Sequence, residues 1–151
     1  MRKYPDGESA WLATDQDGHI AIFLTAGDGP VPVVALDREE PLIENIEALV
    51  MAMPRSSNAR MTQVINHRTQ TFLALAWRGV FVFDWTDFTR YPRDQVHVYE
   101  RVTRPLTPVG LAGLPLPLAL AARELTFVDV RFSRARSVDI RASMETVTPV
   151  R

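Results

Sequence analysis

The stretch from Trp11 to Leu24, WLATDQDGHIAIFL, constrains this chain more than any other, because two runs of strand-forming residues flank Asp17-Gly18. Asp-Gly accepts the positive φ angles of a tight turn, and the flanking runs favour extended backbone, so the pattern predicts a β-hairpin. A two-residue type I′ turn pairs Gln16 with His19. It sets Ala13 opposite Ile22 and Trp11 opposite Leu24 on one face, with Leu12 opposite Phe23 on the other. A three-residue loop with a bulged Gly18 would shift this pairing.

Beyond the hairpin, Gly27 to Pro32 reads as a loop, and residues 33–36 as a short strand or the approach to a helix. The clearest helical period runs over Glu39 to Met53. Leu42, Ile46, Leu49 and Met53 recur on one side, Glu40, Glu44 and Glu47 on the other, Asp37 is the expected cap, and Pro54 the stop. Arg55 to Gln70 is polar, and a loop with one amphipathic turn is expected there. TFLALAWRGVFVFDW then reads as a second hairpin, Phe72–Trp77 and Val80–Trp85 about an Arg78-Gly79 turn. Its strands are apolar on both faces, which places them at the centre of a sheet.

Gln95 to Thr103 alternates as a strand with one solvated face. Arg104 to Pro117 is an irregular crossing, and Pro117 opens a short helix through Arg123. Leu125 to Phe132 and Val138 to Ile140 read as further strands. The expected architecture is α+β: a single domain over residues 1–151, with a mainly antiparallel sheet of about six strands, one main helix and a short second one.

At 151 residues such a domain buries roughly 70% of its unfolded surface, enough for a self-sufficient core. The absence of cysteine excludes disulfides, thiol catalysis and cysteine zinc sites. The first residues, MRKYPDGESAW, lack the apolar segment of a secretory signal. Pro105 to Ala122, with four prolines and two glycines, cannot cross a bilayer as a regular helix. A soluble, cytoplasmic protein with no membrane partner is the expectation. The net charge of −1 hides an asymmetry: residues 1–50 hold three basic residues against ten acidic ones, and residues 51–151 fourteen against eight.

Several constellations raise chemical possibilities. Asp15-x-Asp17-Gly18 opens like a calcium loop, but Ile20 and Ala26 stand where glycine and a bidentate glutamate are required. Gly27-Asp28-Gly29-Pro30 could cradle an anion on its backbone N–H groups. It lacks the phosphate-loop spacing and a following helix, and Asp28 would repel the ligand, so a conformational role in leaving the sheet is favoured. His19, His67 and His97 fall on three separate elements. No serine sits in a nucleophile elbow, and Asp84 with Asp87 is a carboxylate pair that a turn also explains. Arg131, Arg134, Arg136 and Arg141 form a late basic cluster near Phe127 and Phe132. No nucleic-acid-binding motif accompanies it, and nucleic acid is not the expected partner.

Taken together, WLATDQDGHIAIFLTAGDGPVP, GVFVFDW and YERVTRPLTP followed by LPLPLA resemble small bacterial immunity-type proteins of polymorphic toxin systems. The chain departs from the SUKH immunity pattern in beginning with a hairpin and not a helix. The resemblance implies a non-enzymatic protein that binds and neutralises a cognate toxin without a cofactor. Asp15, Asp17, Asp28, Glu40, Glu44 and Glu47 would then meet a basic toxin surface, and a sheet edge leaves a homodimer open. The alternatives are a small-molecule or anion-binding domain using Gly27 to Pro32, and a hydrolase around Asp84 and Asp87.

Overall fold

The computed structural model describes residues 9–65, 67–85 and 97–141 of the chain. The hairpin is present as β1, Ala10–Asp15, and β2, Ile20–Leu24. Its register differs from the two-residue-turn expectation by one residue, with Trp11 paired to Phe23 and Ala13 to Ala21. Gln16, Asp17 and Gly18 form a three-residue loop closed by Asp15 N–H donating to His19 O at 3.1 Å, and Gly18 takes φ +78°. The bulged glycine is the physical cause of the shift. As a result Trp11 shares a face with Phe23, and the rings stack with centroids 4.1 Å apart.

The expected helix over Glu39 to Met53 is not one helix. Instead α1 covers Val33–Leu36 and α2 covers Ile46–Met51, with Asn45 and not Asp37 at the N-cap position of α2. Pro41 explains the break, because it lacks an N–H and its ring drives the preceding residue out of helical conformation. The segment between the helices instead buries Pro41 and Ile43, and Ile43 O accepts the Ala10 N–H of β1 at 2.9 Å.

The polar stretch after Pro54 contributes a short strand, β3, Ala59–Met61. The second predicted hairpin is half correct. Residues expected as its first strand form a helix, α3, Thr69–Ala76, and only β4, Phe81–Asp84, is a strand. Leu and Ala favour helix, and α3 packs against β3, β4 and β5 of the sheet and against α2. Gly79, at φ +93°, reverses the chain after α3, with its N–H donating to Ala76 O. Arg78 is a clamp and not a turn residue: its guanidinium donates to Met51 O, Met53 O and Ala74 O, binding the ends of α2 and α3 together.

The last part of the fold contains β5, Val98–Pro105, a 3-10 turn at Leu111–Gly113, α4, Leu116–Arg123, β6, Thr126–Phe127, and β7, Ser137–Asp139. The short helix and the final strand match the sequence expectation. The strand expected over Leu125 to Phe132 shrinks to two residues because the chain then turns to insert Phe132 into the core.

All seven strands belong to one sheet of order β3-β5-β4-β2-β1-β6, with β7 also paired to β5. The sheet is mixed: β1 with β6 and β2 with β4 are parallel, and the other pairings are antiparallel. β4 lies between β2 and β5, as its two-sided apolarity predicts. One face packs Leu12, Ile22, Val82 and Val102 against α2, α3 and α4. The other buries an aromatic cluster of Trp11, Phe23, Phe81, Phe83, Tyr99, Phe127 and Phe132 beneath α1 and the segment after β6. No helix among the described residues is long and apolar enough to cross a membrane.

Candidate functional site

The hairpin turn gathers Asp15, Asp17 and His19, whose potential ligand atoms lie within 4.8 Å of one another. Asp15 is buried, and its carboxylate is already occupied. Oδ1 accepts the N–H groups of Asp17 and His19 at 2.9 Å each, and Oδ2 accepts the Phe132 N–H at 2.7 Å. Three of the carboxylate's roughly four acceptor positions are thus taken by backbone donors. Asp17 is exposed, 4.0 Å from the Arg131 guanidinium. The turn carboxylate therefore pins the hairpin to the segment that carries Phe132.

The Gly27 to Pro32 loop points its donors inward. Gly27 N–H meets Thr25 Oγ1, and the N–H groups of Asp28 and Gly29 donate to Thr25 O at 3.2 and 2.7 Å. Tyr99 Oη donates to Pro30 O at 2.8 Å and accepts the Trp11 indole N–H at 3.3 Å. A Cβ on Gly29 would lie 2.7 Å from Tyr99 Oη and 2.9 Å from Thr25 O. The need for glycine comes from close packing against the aromatic face, and the backbone donors that would cradle an anion are spent on Thr25.

The other sequence candidates are dispersed. Asp28, Glu40 and Glu44 are exposed, and Glu47 forms an ion pair at 3.2 Å with Arg68, which leads into α3. His67 lies edge-on to Phe72, His97 precedes β5, and His19 stays at the turn, so the three imidazoles are not brought together. Asp84 is buried at the end of β4, and Asp87 lies outside the described residues.

The structure does assemble an arginine face at the sheet edge. Both β3 and β7 pair with the same side of β5, end to end, and the ladder is broken between them. At the break side chains replace a strand: Thr62 Oγ1 and Gln63 Nε2 both donate to Arg101 O, at 3.0 and 2.9 Å. On its other side β5 carries a bulge, since Val82 pairs with Thr103 and Phe83 with Arg101. The extra residue turns Val102 and Thr103 both toward the helices, where Thr103 Oγ1 donates to Phe72 O. Arg101 and Arg104, which strict alternation would put on opposite faces, consequently share the aromatic face.

There Arg101 Nη1 donates to Phe132 O at 2.7 Å, and Arg104 Nη1 to Ser133 O at 3.3 Å. Arg60 is the direct cross-strand partner of Arg104. Arg136, whose carbonyl accepts the Arg101 N–H, immediately precedes β7 and adds its charge to those around Arg101. Among the described residues none of these four guanidiniums lies at ion-pair distance from a carboxylate. Arg101 Nε is buried without a hydrogen-bond partner, and burial, followed by repulsion from Arg104, Arg136 and Arg60, lowers the Arg101 pKa. An open groove of about 970 Å³ runs past the break, floored by Val98, Glu100 and Arg101 and banked by residues 61–64 and by Arg136 and Ser137.

Of this face only Arg136 belongs to the basic cluster visible in the sequence. Arg60 sits in a stretch that reads as loop, and only the bulge unites Arg101 with Arg104. No protein-family model, curated protein or solved structure matches this chain.

Proposed function

We propose that this chain is a non-enzymatic binding protein that recognises an anionic partner through Arg60, Arg101, Arg104 and Arg136. The observation that carries this reading is the gathering of four guanidiniums, none of them at ion-pair distance from a carboxylate among the described residues. Like charges directly opposite one another destabilise a sheet, and Arg60 opposite Arg104 does so here. An anion on this face offsets that repulsion and gains charge-assisted hydrogen bonds. The dispersal of the histidines and of the candidate carboxylates also favours binding over catalysis.

Neutralisation of a toxin, as the sequence resemblance implies, is one form such binding would take. The exposed Asp17, Asp28, Glu40 and Glu44 would then serve a separate contact with a basic surface.

Retention on an immobilised polyanion such as heparin tests the proposal. The wild-type chain should bind at low ionic strength and elute with added salt. The double variant Arg60→Glu and Arg136→Glu, at two exposed positions, should pass through while remaining folded by circular dichroism. Equal retention of both proteins, or passage of the wild type at about 50 mM salt, would overturn the assignment.

A further inference from the structure

Resting on that reading, we infer that the arginine face seats one compact dianion, the terminal phosphoryl group of a small phosphorylated molecule. Convergence sets the size of the ligand. Arg60 is the cross-strand partner of Arg104, with Cβ atoms about 5 Å apart, and Arg136 O accepts the Arg101 N–H one step beyond the last pair of β5 and β7. The two contacts follow one another within three residues of β5, about 10 Å at most. Four long side chains on so short a row can close on one tetrahedral anion but cannot track an extended backbone.

Nucleic acid fits less well. Among the described residues, the aromatic rings of this face, Trp11, Phe23, Phe81, Phe83 and Phe132 among them, are buried, so none of these is offered to stack with an unpaired base. A phosphoryl group also suits the donors better than a lone carboxylate does. It carries close to two negative charges at neutral pH and offers three oxygens to planar guanidinium forks. The charge on Arg101, disfavoured both by burial and by its three neighbours, gains most from such a counter-ion. Ser137 and Thr62 line the adjoining groove together with the Glu100 carboxylate, which confines a dianion to the arginine side.

The test is a titration of the whole chain with inorganic phosphate at constant ionic strength, following the arginine Nε–Hε resonances by NMR. Saturable displacement of the Arg101 signal is expected, with glycerol phosphate acting likewise and acetate having little effect. Arg136→Gln should weaken the apparent phosphate affinity about tenfold, as befits one lost charge-assisted hydrogen bond. Arg101→Lys, which keeps the charge and loses the fork, should weaken it as well. No shift with phosphate, or an equal shift with acetate, overturns the phosphoryl assignment. If polyanion retention persists in that case, the broader reading survives. Tighter binding of a single-stranded oligonucleotide than of glycerol phosphate would instead assign the face to nucleic acid and overturn the inference.

Discussion

Replacing Asp15 by asparagine tests what the hairpin turn is for. The carboxylate is 3% exposed, accepts three backbone N–H groups, and joins the turn after β1 to Phe132, more than a hundred residues away in sequence. Asn is nearly isosteric, so no cavity opens. Its single oxygen can keep the Asp17 and His19 donors, and its NH2 group is then presented to the Phe132 N–H. One charge-assisted bond worth about 1.5–3 kcal/mol disappears, and a buried donor left unpaired costs a further 1–3 kcal/mol or so.

The expected loss is about 4 kcal/mol, a large share of the roughly 5–15 kcal/mol that stabilises a domain. In urea denaturation at neutral pH, with a slope near 2 kcal/mol per molar, the midpoint of Asp15→Asn should fall by about 2 M. A midpoint within about 0.3 M of wild type would show that the carboxylate does not hold the loop. A calcium-dependent rise in melting temperature that the variant lacks would restore the metal reading of the turn.

Two further perturbations probe the edges of the fold. Gly29→Ala forces a Cβ against Tyr99 Oη and Thr25 O, so a loss of about 1–3 kcal/mol and a change in Trp11 fluorescence are expected; unchanged melting would show that the loop yields. The Arg141 side chain, hydrogen-bonded to Asp139, holds that carboxyl below its ordinary range. A carboxylate pKa depressed by folding contributes stability above its unfolded value, and that contribution is lost as pH falls through the folded one. Both side chains are about half exposed, so Asp139→Asn should cost less than about 1 kcal/mol at neutral pH. The difference from wild type in acid-titrated urea melts should vanish toward low pH; a constant difference would contradict the pairing.

The polypeptide's own pattern determined the elements whose signals are local. Asp17-Gly18 between strand formers makes a hairpin wherever it is placed, Pro117 opens the short helix, and the doubly apolar Val80 to Phe83 run belongs at the centre of a sheet. Tertiary structure decided what local pattern leaves degenerate. The hairpin register turned on whether Gly18 bulged, a one-residue choice tied to the capture of Asp15 by Phe132. Leu-Ala-Leu-Ala beside Gly79 suits strand or helix alike, and packing against both the sheet and α2 selected helix. Pro41 broke a periodic run whose apolar spacing remained intact. The arginine face is furthest from sequence, because its members come from β3, β5 and the approach to β7, and they meet only because a bulge in β5 reverses the alternation between Arg101 and Arg104. Charge count is a property of the chain, whereas charge convergence depends on two strand pairings that bring residues as distant as Arg60 and Arg136 to the same strand.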